Sequence, residues 1–189
     1  MPSQEPDNLA SSIADACLLR GTFTLRSGRT SSYYLDKYKF STRPDLLAPV
    51  AELLAERART LFEGVGVEGG GNRPQRLAGA ELGGIPLVTA CSLRLGLPAL
   101  FIRNAKKGYG TAKQLEGELN AGDVVVLFED VATSGGQALE AATVLQDAGA
   151  TIAGVVATID RQEGARERIE GAGMRFESLF TKADLGIDE

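Results

Sequence analysis

Histidine and tryptophan are absent from this sequence of 189 residues, and there are only two cysteines. Without histidine, a Ser-His-Asp triad, a Cys-His dyad and every zinc site with a histidine ligand are excluded. Cys17 and Cys91 are too few for a secreted disulfide framework, and they lie too far apart for a paired metal motif. We therefore expect two buried free thiols. Any catalysis must rely on Asp, Glu, Lys, Arg, Tyr, Ser, Thr, Cys or backbone amides.

Positive charge and long apolar runs are also scarce. The 20 Lys and Arg residues are outnumbered by 25 Asp and Glu, which gives a net charge of -5. A surface that binds nucleic acid would need the opposite sign. No apolar run approaches the ~18–20 residues of a membrane helix, and the polar start MPSQEPDN lacks the features of a signal peptide. We expect a soluble, cytoplasmic protein that binds neither nucleic acid nor membrane.

The remaining composition is that of a globular protein, with 43% apolar and 24% charged residues. At about 100–200 residues per domain, the length predicts one domain over residues 1–189. Apolar spacing predicts a helix over Asn8–Leu19, with Asn8 as N-cap and Gly21 as its end. Two β-rich runs between residues 22 and 35, joined by SGR, predict an antiparallel hairpin. A second amphipathic helix is predicted over about Pro44–Leu61.

From Arg76 onward, predicted strands alternate with predicted helices. The Gly-rich residues 63–74 precede this part and are interpreted as a surface loop. A parallel sheet with helices on both faces follows from the alternation. Such sheets bind ligands at the carboxyl ends of their strands. The predicted strands are Leu77–Gly79, Ala99–Ile102, Asp123–Phe128, Ile152–Ile159 and Arg175–Phe180, and the helices are Ile85–Leu95, Gly136–Ala148 and Gly164–Ala172.

The most informative segment is VVVLFEDVATSGGQALEAA, residues 124–142. An apolar strand delivers two acids, Glu129 and Asp130, to its end, and a TSGG turn then leads into a helix. The turn and the helix start favour phosphate binding. The carboxylates can accept hydrogen bonds from sugar hydroxyls or hold a divalent cation. A ribose 5-phosphate has both features. The alternative is a plain junction with a helix cap at Thr133 or Ser134. No P-loop motif occurs in the sequence.

Three other segments carry candidate chemistry, each with a simpler alternative. In GAELGG (79–84), small residues let a ligand approach, unless this is an ordinary turn. In IDRQEG (159–164), Arg161 can bind a planar carboxylate or carbonyl edge, unless it only flanks a helix. The basic loop RNAKKGYGTAKQLEG (103–117) suits a lid over a polyphosphate, unless it is simply solvated.

These segments resemble the motifs of a known family. Residues 124–142 are similar to the phosphoribosyl diphosphate signature of type I phosphoribosyltransferases. FTLRSGRTSSYYLD (23–36), GAELGGIPL (79–87) and IDRQEG (159–164) resemble motifs of the orotate phosphoribosyltransferases. The motifs follow the family's order from about Asn8 to Leu185. The resemblance implies a central parallel sheet flanked by helices, with a hood from residues 1–40 and the C-terminal end. It also implies a flexible catalytic loop, 103–117.

The resemblance also implies a reaction and its partners. Ribose 5-phosphate would pass from 5-phosphoribosyl 1-diphosphate to orotate, giving orotidine 5′-monophosphate and diphosphate in pyrimidine biosynthesis. Mg²⁺ would be held mainly through the substrate diphosphate and water, without protein ligands. The assembly would be a homodimer with shared active sites. A cis peptide bond is expected near Glu81–Leu82.

The resemblance assigns the family's site residues to this sequence at the positions where the motifs match. The catalytic residues would be Lys107, Arg103 and Asp130. The orotate-binding residues would be Arg26, Tyr34, Thr133 and Arg161. Asn104 and Ala105 depart from the family's Lys and Glu, and Lys106 is the candidate to replace the missing cation. The residues expected to bind phosphoribosyl diphosphate are Gly83, Arg103, Lys106, Lys107, Tyr109, Glu129, Asp130, Val131, Ala132, Thr133, Ser134, Gly135, Gly136 and Gln137.

Two other functions fit part of the same pattern. A phosphoribosyltransferase for another base would share residues 124–137 but would not need Arg161 and the hairpin. A non-catalytic sensor of phosphoribosyl diphosphate would keep the phosphate-binding turn and lose positive charges from the basic loop. Asn104, where the family has Lys, is such a loss. Such regulators usually carry a basic nucleic-acid-binding element, and the net charge of -5 weighs against one here.

Overall fold

The computed structural model describes residues 6–24, 28, 30–65, 75–104 and 114–187. Its N-terminal half begins with elements that precede the main sheet. Helix α1 is followed by the antiparallel strands β1 and β2, by a single helical turn, α2, and by the long helix α3. Their bounds are α1 Pro6–Cys17, β1 Leu18–Thr24, β2 Thr30–Leu35, α2 Tyr38–Ser41 and α3 Pro44–Glu63.

The remaining elements alternate as the sequence predicts. Within the described residues they form a six-stranded sheet in the order β5-β4-β3-β6-β7-β8. All neighbouring pairs are parallel except β4 and β5 at one edge. A short 3₁₀ helix, Ala183–Leu185, follows the last strand. The bounds are β3 Gln75–Ala80, α4 Gly84–Leu95, β4 Ala99–Ile102, β5 Leu115–Glu116, β6 Val124–Ala132, α5 Gly136–Asp147, β7 Thr151–Asp160, α6 Ala165–Gly171 and β8 Phe176–Thr181.

The first half of strand β6 is apolar because helices cover it on both faces. Val126 and Phe128 pack into one core cluster with residues of α3 and α4. Val125 and Leu127 pack into a second cluster with residues of α5 and α6. Because successive side chains point to opposite faces, a strand covered on both faces must be continuously apolar. The predicted α/β class, with helices on both faces, is confirmed.

Several predicted bounds are wrong, for reasons that lie in tertiary contacts. Helix α1 begins at Pro6, so Asn8 is not its N-cap, and it ends at Cys17 rather than near Gly21. The chain leaves the helix there because Leu18 pairs with Leu35 across the hairpin. Strand β6 continues to Ala132 rather than Phe128. Its pairing with β7 holds as far as Ala132, so the acidic residues lie within the strand.

The first helix and the last helical turn that the structure describes pack together beside the hairpin. Helix α1 packs against the C-terminal 3₁₀ helix. Arg20 of β1 donates from Nη2 to the carbonyl of Gly186 at 2.9 Å. No helix in the described part of the chain is long and apolar enough to cross a membrane.

Both cysteines are buried free thiols, as the sequence predicts. Burial raises the pKa of Cys17 to about 11 and the pKa of Cys91 to about 12. Both thiols are therefore neutral and unsuited to act as nucleophiles near pH 7.

Candidate active site

The two adjacent acids of β6 are the centre of the candidate site. Glu129 is 6% exposed and Asp130 is 2% exposed. The Lys37 ammonium donates to Asp130 Oδ1 at 3.1 Å and lies 3.0 Å from Oδ2. The backbone N–H of Val131 also donates to Asp130 Oδ1, at 2.7 Å. Within the described residues, Glu129 Oε2 is a buried oxygen without a hydrogen-bond partner, and Asp130 Oδ2 has only the ion pair with Lys37. Both can accept hydrogen bonds from a ligand.

The turn after β3 packs directly onto this acidic pair. A Cβ at position 83 would collide with the Asp130 carboxylate, and one at position 84 would press on the carbonyl of Phe128. Only glycine therefore lets this turn approach the end of β6. The peptide bond Glu81–Leu82 is cis, as the resemblance implies. The small residues of this segment bring two strand ends together.

A cavity lies beside Glu129 at the start of α5. It has a volume of about 200 Å³ and is lined by Glu129 and residues 131–138. Helix α5 begins at Gly136, and its N-cap residue is Gly135, at φ +73°, with no side-chain cap. The alternative that Thr133 or Ser134 caps this helix is therefore wrong. The first N–H groups of a helix lack intrahelical partners, so this end can bind an anion.

Arg161 projects from the end of β7 toward the hairpin. Its Nη2 donates to the Tyr33 hydroxyl at 2.7 Å and lies 2.8 Å from Glu163 Oε1. Its guanidinium lies 5.1 Å from the centre of the Tyr33 ring, and in the described part of the chain its buried Nε has no partner. Arg161 is thus not a mere helix-flanking surface residue. It faces the site from the hairpin side.

A tight turn fixes the backbone that carries Arg161. The Arg161 N–H donates to the carbonyl of Ala132 at 2.9 Å. The buried carboxylate of Asp160 accepts from the N–H of Gln162 at 2.8 Å. Gln162 adopts a left-handed conformation, with φ 55°. These contacts tie the Arg161 segment to the end of β6.

The tyrosine that contacts Arg161 is not the one that the sequence singled out. Tyr33 is buried beside Arg161, whereas Tyr34 is 46% exposed and lies 5.7 Å from the Phe23 ring. The role of Tyr34 over a pyrimidine ring stays a prediction. The strict alternation of β2, with Tyr33 and Leu35 inward, is a signal that could have identified Tyr33.

The basic loop is described only at its two ends. Arg103 Nε lies 2.9 Å from Glu116 Oε1, and the Arg103 N–H donates to the carbonyl of Gln114. The Asn104 N–H donates to Glu81 Oε1 at 2.7 Å, which ties the loop to the turn after β3. Other predicted site residues lie outside the described residues: Arg26, Lys106, Lys107 and Tyr109.

The structure therefore brings most of the remaining predicted residues to one end of the sheet. It also adds Lys37, which motif reasoning missed. Lys37 follows the YYLD motif by one residue, but nothing in its local sequence indicates a contact with Asp130. Among the described residues, no group of three or more His, Cys, Asp or Glu side chains could hold a metal ion.

Burial and neighbouring charges shift the pKa values of Glu129 and Lys37. Burial, followed by the charge of Asp130, raises the pKa of Glu129 from 4.5 to about 8, while the charge of Lys37 opposes this rise. Burial alone would lower the pKa of Lys37. The charge of Asp130 and its hydrogen bond outweigh that effect and raise the pKa of Lys37 above its ordinary value.

The raised pKa of Glu129 predicts a pH-dependent cost in stability. Between pH 4.5 and about 8, the folded protein retains a proton that the unfolded chain loses. The Glu129 contribution to the free energy of unfolding should therefore fall as pH rises, by up to about 1.4 kcal/mol per pH unit. Glu129→Gln should match the wild type near pH 5 and be the more stable protein near pH 8.5. Urea unfolding at several pH values measures this, with the exposed Glu140→Gln as control. A constant difference between wild type and Glu129→Gln would contradict it.

Comparison with known proteins gives the family. No known family profile matches the chain. Orotate phosphoribosyltransferase of Pyrococcus furiosus is 42% identical over 173 residues, 92% of this chain and 90% of that protein. The same enzyme of Natronomonas pharaonis is 40% identical over 189 residues, 100% of this chain and 99% of that protein.

Solved structures agree. Orotate phosphoribosyltransferase of Mycobacterium tuberculosis has a TM-score of 0.79 and 31% identity, covering 96% of this chain and 98% of that one. The structure from Aeropyrum pernix has a TM-score of 0.79 and 32% identity, covering 94% of this chain and 96% of that one. The chain belongs to the orotate phosphoribosyltransferase family.

Proposed function

We propose that this chain transfers ribose 5-phosphate from 5-phosphoribosyl 1-diphosphate to orotate, forming orotidine 5′-monophosphate and diphosphate. The observation that carries the proposal is the cavity between Glu129 and the start of α5. It places an anion site at the helix start beside the buried carboxyl group of Glu129, which can accept a hydrogen bond from a sugar hydroxyl. A Mycobacterium tuberculosis relative, 30% identical with a TM-score of 0.76, was crystallised with 5-phospho-alpha-D-ribosyl 1-diphosphate.

The phosphoribosyl group is assigned to β6 and the turn after it. The 5-phosphate is received by backbone N–H groups of residues 132–137, aided by the positive end of α5. The ribose hydroxyls donate to Glu129 and Asp130. Among the described residues, Glu129 Oε2 has no hydrogen-bond partner, and Asp130 Oδ2 has only the ion pair with Lys37. Gly83, which the family motif assigns to 5-phosphoribosyl 1-diphosphate, packs directly against the Asp130 carboxylate.

The basic loop is assigned to the departing diphosphate. The orotate nitrogen displaces diphosphate at C1 with inversion, through an oxocarbenium-like transition state. Negative charge builds on the leaving group, so Arg103, Lys106 and Lys107, with the neighbouring Tyr109, act most strongly in the transition state. One such group supplies roughly 3–4 kcal/mol. Orotate loses its proton largely in solution, so the absence of histidine is no obstacle.

The base is assigned to Arg161, with Thr133, Arg26 and Tyr34. A guanidinium can bind a planar carboxylate or carbonyl edge with two parallel hydrogen bonds. The partly buried Arg161 side chain, 16% exposed, lies where such a contact is shielded from water. Tyr33 holds that side chain toward the hairpin.

Mg²⁺ is proposed as the metal. Mg²⁺ prefers oxygen ligands and keeps several waters, and it usually binds through one or two carboxylates and substrate phosphates. In this mode the substrate diphosphate and water supply most of the oxygen ligands, beside the acidic pair Glu129 and Asp130. When bound, the ion neutralises charge on the diphosphate. We further propose that the protein acts in the cytoplasm, in de novo synthesis of UMP.

Product identification separates catalysis from sensing. Wild-type protein, orotate, 5-phosphoribosyl 1-diphosphate and Mg²⁺ should yield orotidine 5′-monophosphate and diphosphate in equal amounts, measured by mass spectrometry. A protein that binds 5-phosphoribosyl 1-diphosphate but forms no nucleotide would instead be the sensor to which Asn104 and Ala105 could point.

We also propose a homodimer in which the 103–117 loop serves the neighbouring site. The loop is cationic and punctuated by glycines, and the acidic pair is a destination of opposite sign. Two-fold dimers are the commonest assembly.

Mixing two inactive variants tests the shared site. Lys107→Ala keeps the acidic pair and Asp130→Ala keeps the loop. In a mixed dimer with shared sites, one site carries both defects and the other neither, so activity should reappear after subunit exchange. A mixture that stays inactive, with exchange confirmed by native mass spectrometry, would show that each loop serves its own subunit.

A further inference from the structure

Among the described residues, Lys37 is the only charged side chain on the hairpin side that contacts the acidic pair, Glu129 and Asp130. Its ammonium hydrogen-bonds to Asp130 Oδ1 at 3.1 Å, between residues 93 positions apart. The Lys37 side chain is 32% exposed, while its partner carboxylate is 2% exposed. A charge-assisted bond to a buried carboxylate is stronger than a surface ion pair, because water competes poorly for it.

The backbone around Lys37 is held in place. The N–H of Asp36 donates to the carbonyl of Cys17 at 2.8 Å, and the N–H of Lys37 donates to the carbonyl of Leu35 at 3.0 Å. Lys37 therefore extends from a fixed point at the end of β2. Its contact with Asp130 follows from the way the hairpin joins the main sheet.

Asp130 is constrained from two further directions. The N–H of Val131 donates to Oδ1 at 2.7 Å, and Gly83 leaves the space that Oδ2 occupies. Without Lys37, the Asp130 charge would lie beside Glu129 with no opposite charge among the side chains that contact it in the described residues. Leaving a buried carboxylate unpaired is costly, so the side chain would reorient or take up a proton.

We infer that Lys37 is a positioning residue for the phosphoribosyl half of the site, and that its ammonium holds the Asp130 carboxylate in place for the ribose hydroxyls. The inference rests on the proposed function. Lys37 acts through Asp130 and not on the base. Replacing it should therefore change the affinity for 5-phosphoribosyl 1-diphosphate but not the KM for orotate.

Titration calorimetry with 5-phosphoribosyl 1-diphosphate and Mg²⁺ tests this without turnover. Lys37→Met should weaken binding about 10- to 100-fold, the scale of one hydrogen bond to a charged group. The KM for orotate should stay within about twofold. Lys37→Arg, which keeps the charge, should recover most of the lost affinity.

Lys39→Met is the matched control. It removes the same charge two residues away, from a side chain that is 45% exposed and lies 3.9 Å from Asp36. The affinity of Lys39→Met for 5-phosphoribosyl 1-diphosphate should equal that of the wild type. Thermal unfolding of each variant shows whether the fold is intact.

A double-mutant cycle separates positioning from a purely structural role. If Lys37 acts through Asp130, adding Lys37→Met to Asp130→Asn should change affinity by no more than about twofold. Equal losses for both substrates, with a lower melting temperature and additive effects in the cycle, would overturn the inference. Wild-type affinity in Lys37→Met would overturn it as well.

The proposed function and this inference can fail separately. Wild-type protein that binds 5-phosphoribosyl 1-diphosphate but makes no orotidine 5′-monophosphate would refute the function while the binding data still decide the role of Lys37. Wild-type protein that does not bind 5-phosphoribosyl 1-diphosphate would refute both.

Discussion

Replacing Lys107 with alanine is expected to lower kcat by about 10²–10³, the scale seen when one charge donor to a transition state is removed. The resemblance places Lys107 at the family's catalytic loop lysine. The charge that it meets is largest on the departing diphosphate, so kcat should fall more than the affinity for 5-phosphoribosyl 1-diphosphate. Steady-state kinetics with both substrates varied gives the two values separately.

Lys113→Ala is the matched control, because it removes one positive charge from the same loop at a position that the family motif does not match. It should lose far less activity than Lys107→Ala. Activity of Lys107→Ala within about threefold of the wild type would mean that Lys106 or Arg103 acts on the diphosphate, and that the loop alignment is wrong.

Replacing Arg161 with alanine should raise the KM for orotate far more than the KM for 5-phosphoribosyl 1-diphosphate. The variant would lose the charged hydrogen bond proposed between Arg161 and the base, worth roughly 1.5–3 kcal/mol, which corresponds to about 10- to 150-fold. The Arg161 side chain already contacts Tyr33 and Glu163, which orient it in the absence of a base.

Arg166→Ala provides the control for Arg161, since it removes an arginine of α6 that pairs with Glu170 and lies over the Phe176 ring of β8. It should leave both KM values near those of the wild type. An equal rise of both KM values in Arg161→Ala would indicate that Arg161 supports the hairpin rather than reading the base.

The main sheet could be predicted because two of its central strands contain long, mostly apolar runs, Val124–Phe128 and Ile152–Ile159. Runs of this kind between predicted helices are typical of strands that are buried on both faces. The strand ends could not be predicted, because they depend on pairing between strands. Strand β6 continues through its acids to Ala132 only because β7 pairs with it there. Strand β5 is two residues long and exists only as a partner of β4.

The candidate site was predictable where its residues are neighbours in the sequence, and not where they meet only in the folded chain. Glu129, Asp130 and the turn that follows them are contiguous, so a local motif could reveal them. The contacts of Lys37 with Asp130 and of Tyr33 with Arg161 join residues 93 and 128 positions apart. They arise when the hairpin folds over the sheet, and no local pattern encodes them. The cysteines, by contrast, were predictable from their number alone.

The most direct test of the proposed function is the kcat/KM of the wild-type protein for a panel of bases, measured by diphosphate release with Mg²⁺ and 5-phosphoribosyl 1-diphosphate. Orotate should be used far better than uracil, which lacks the carboxylate for Arg161, and adenine and hypoxanthine should not be used at all. A protein that used adenine or hypoxanthine but not orotate would be a phosphoribosyltransferase for another base, and the roles assigned here to Arg161 and the hairpin would be wrong.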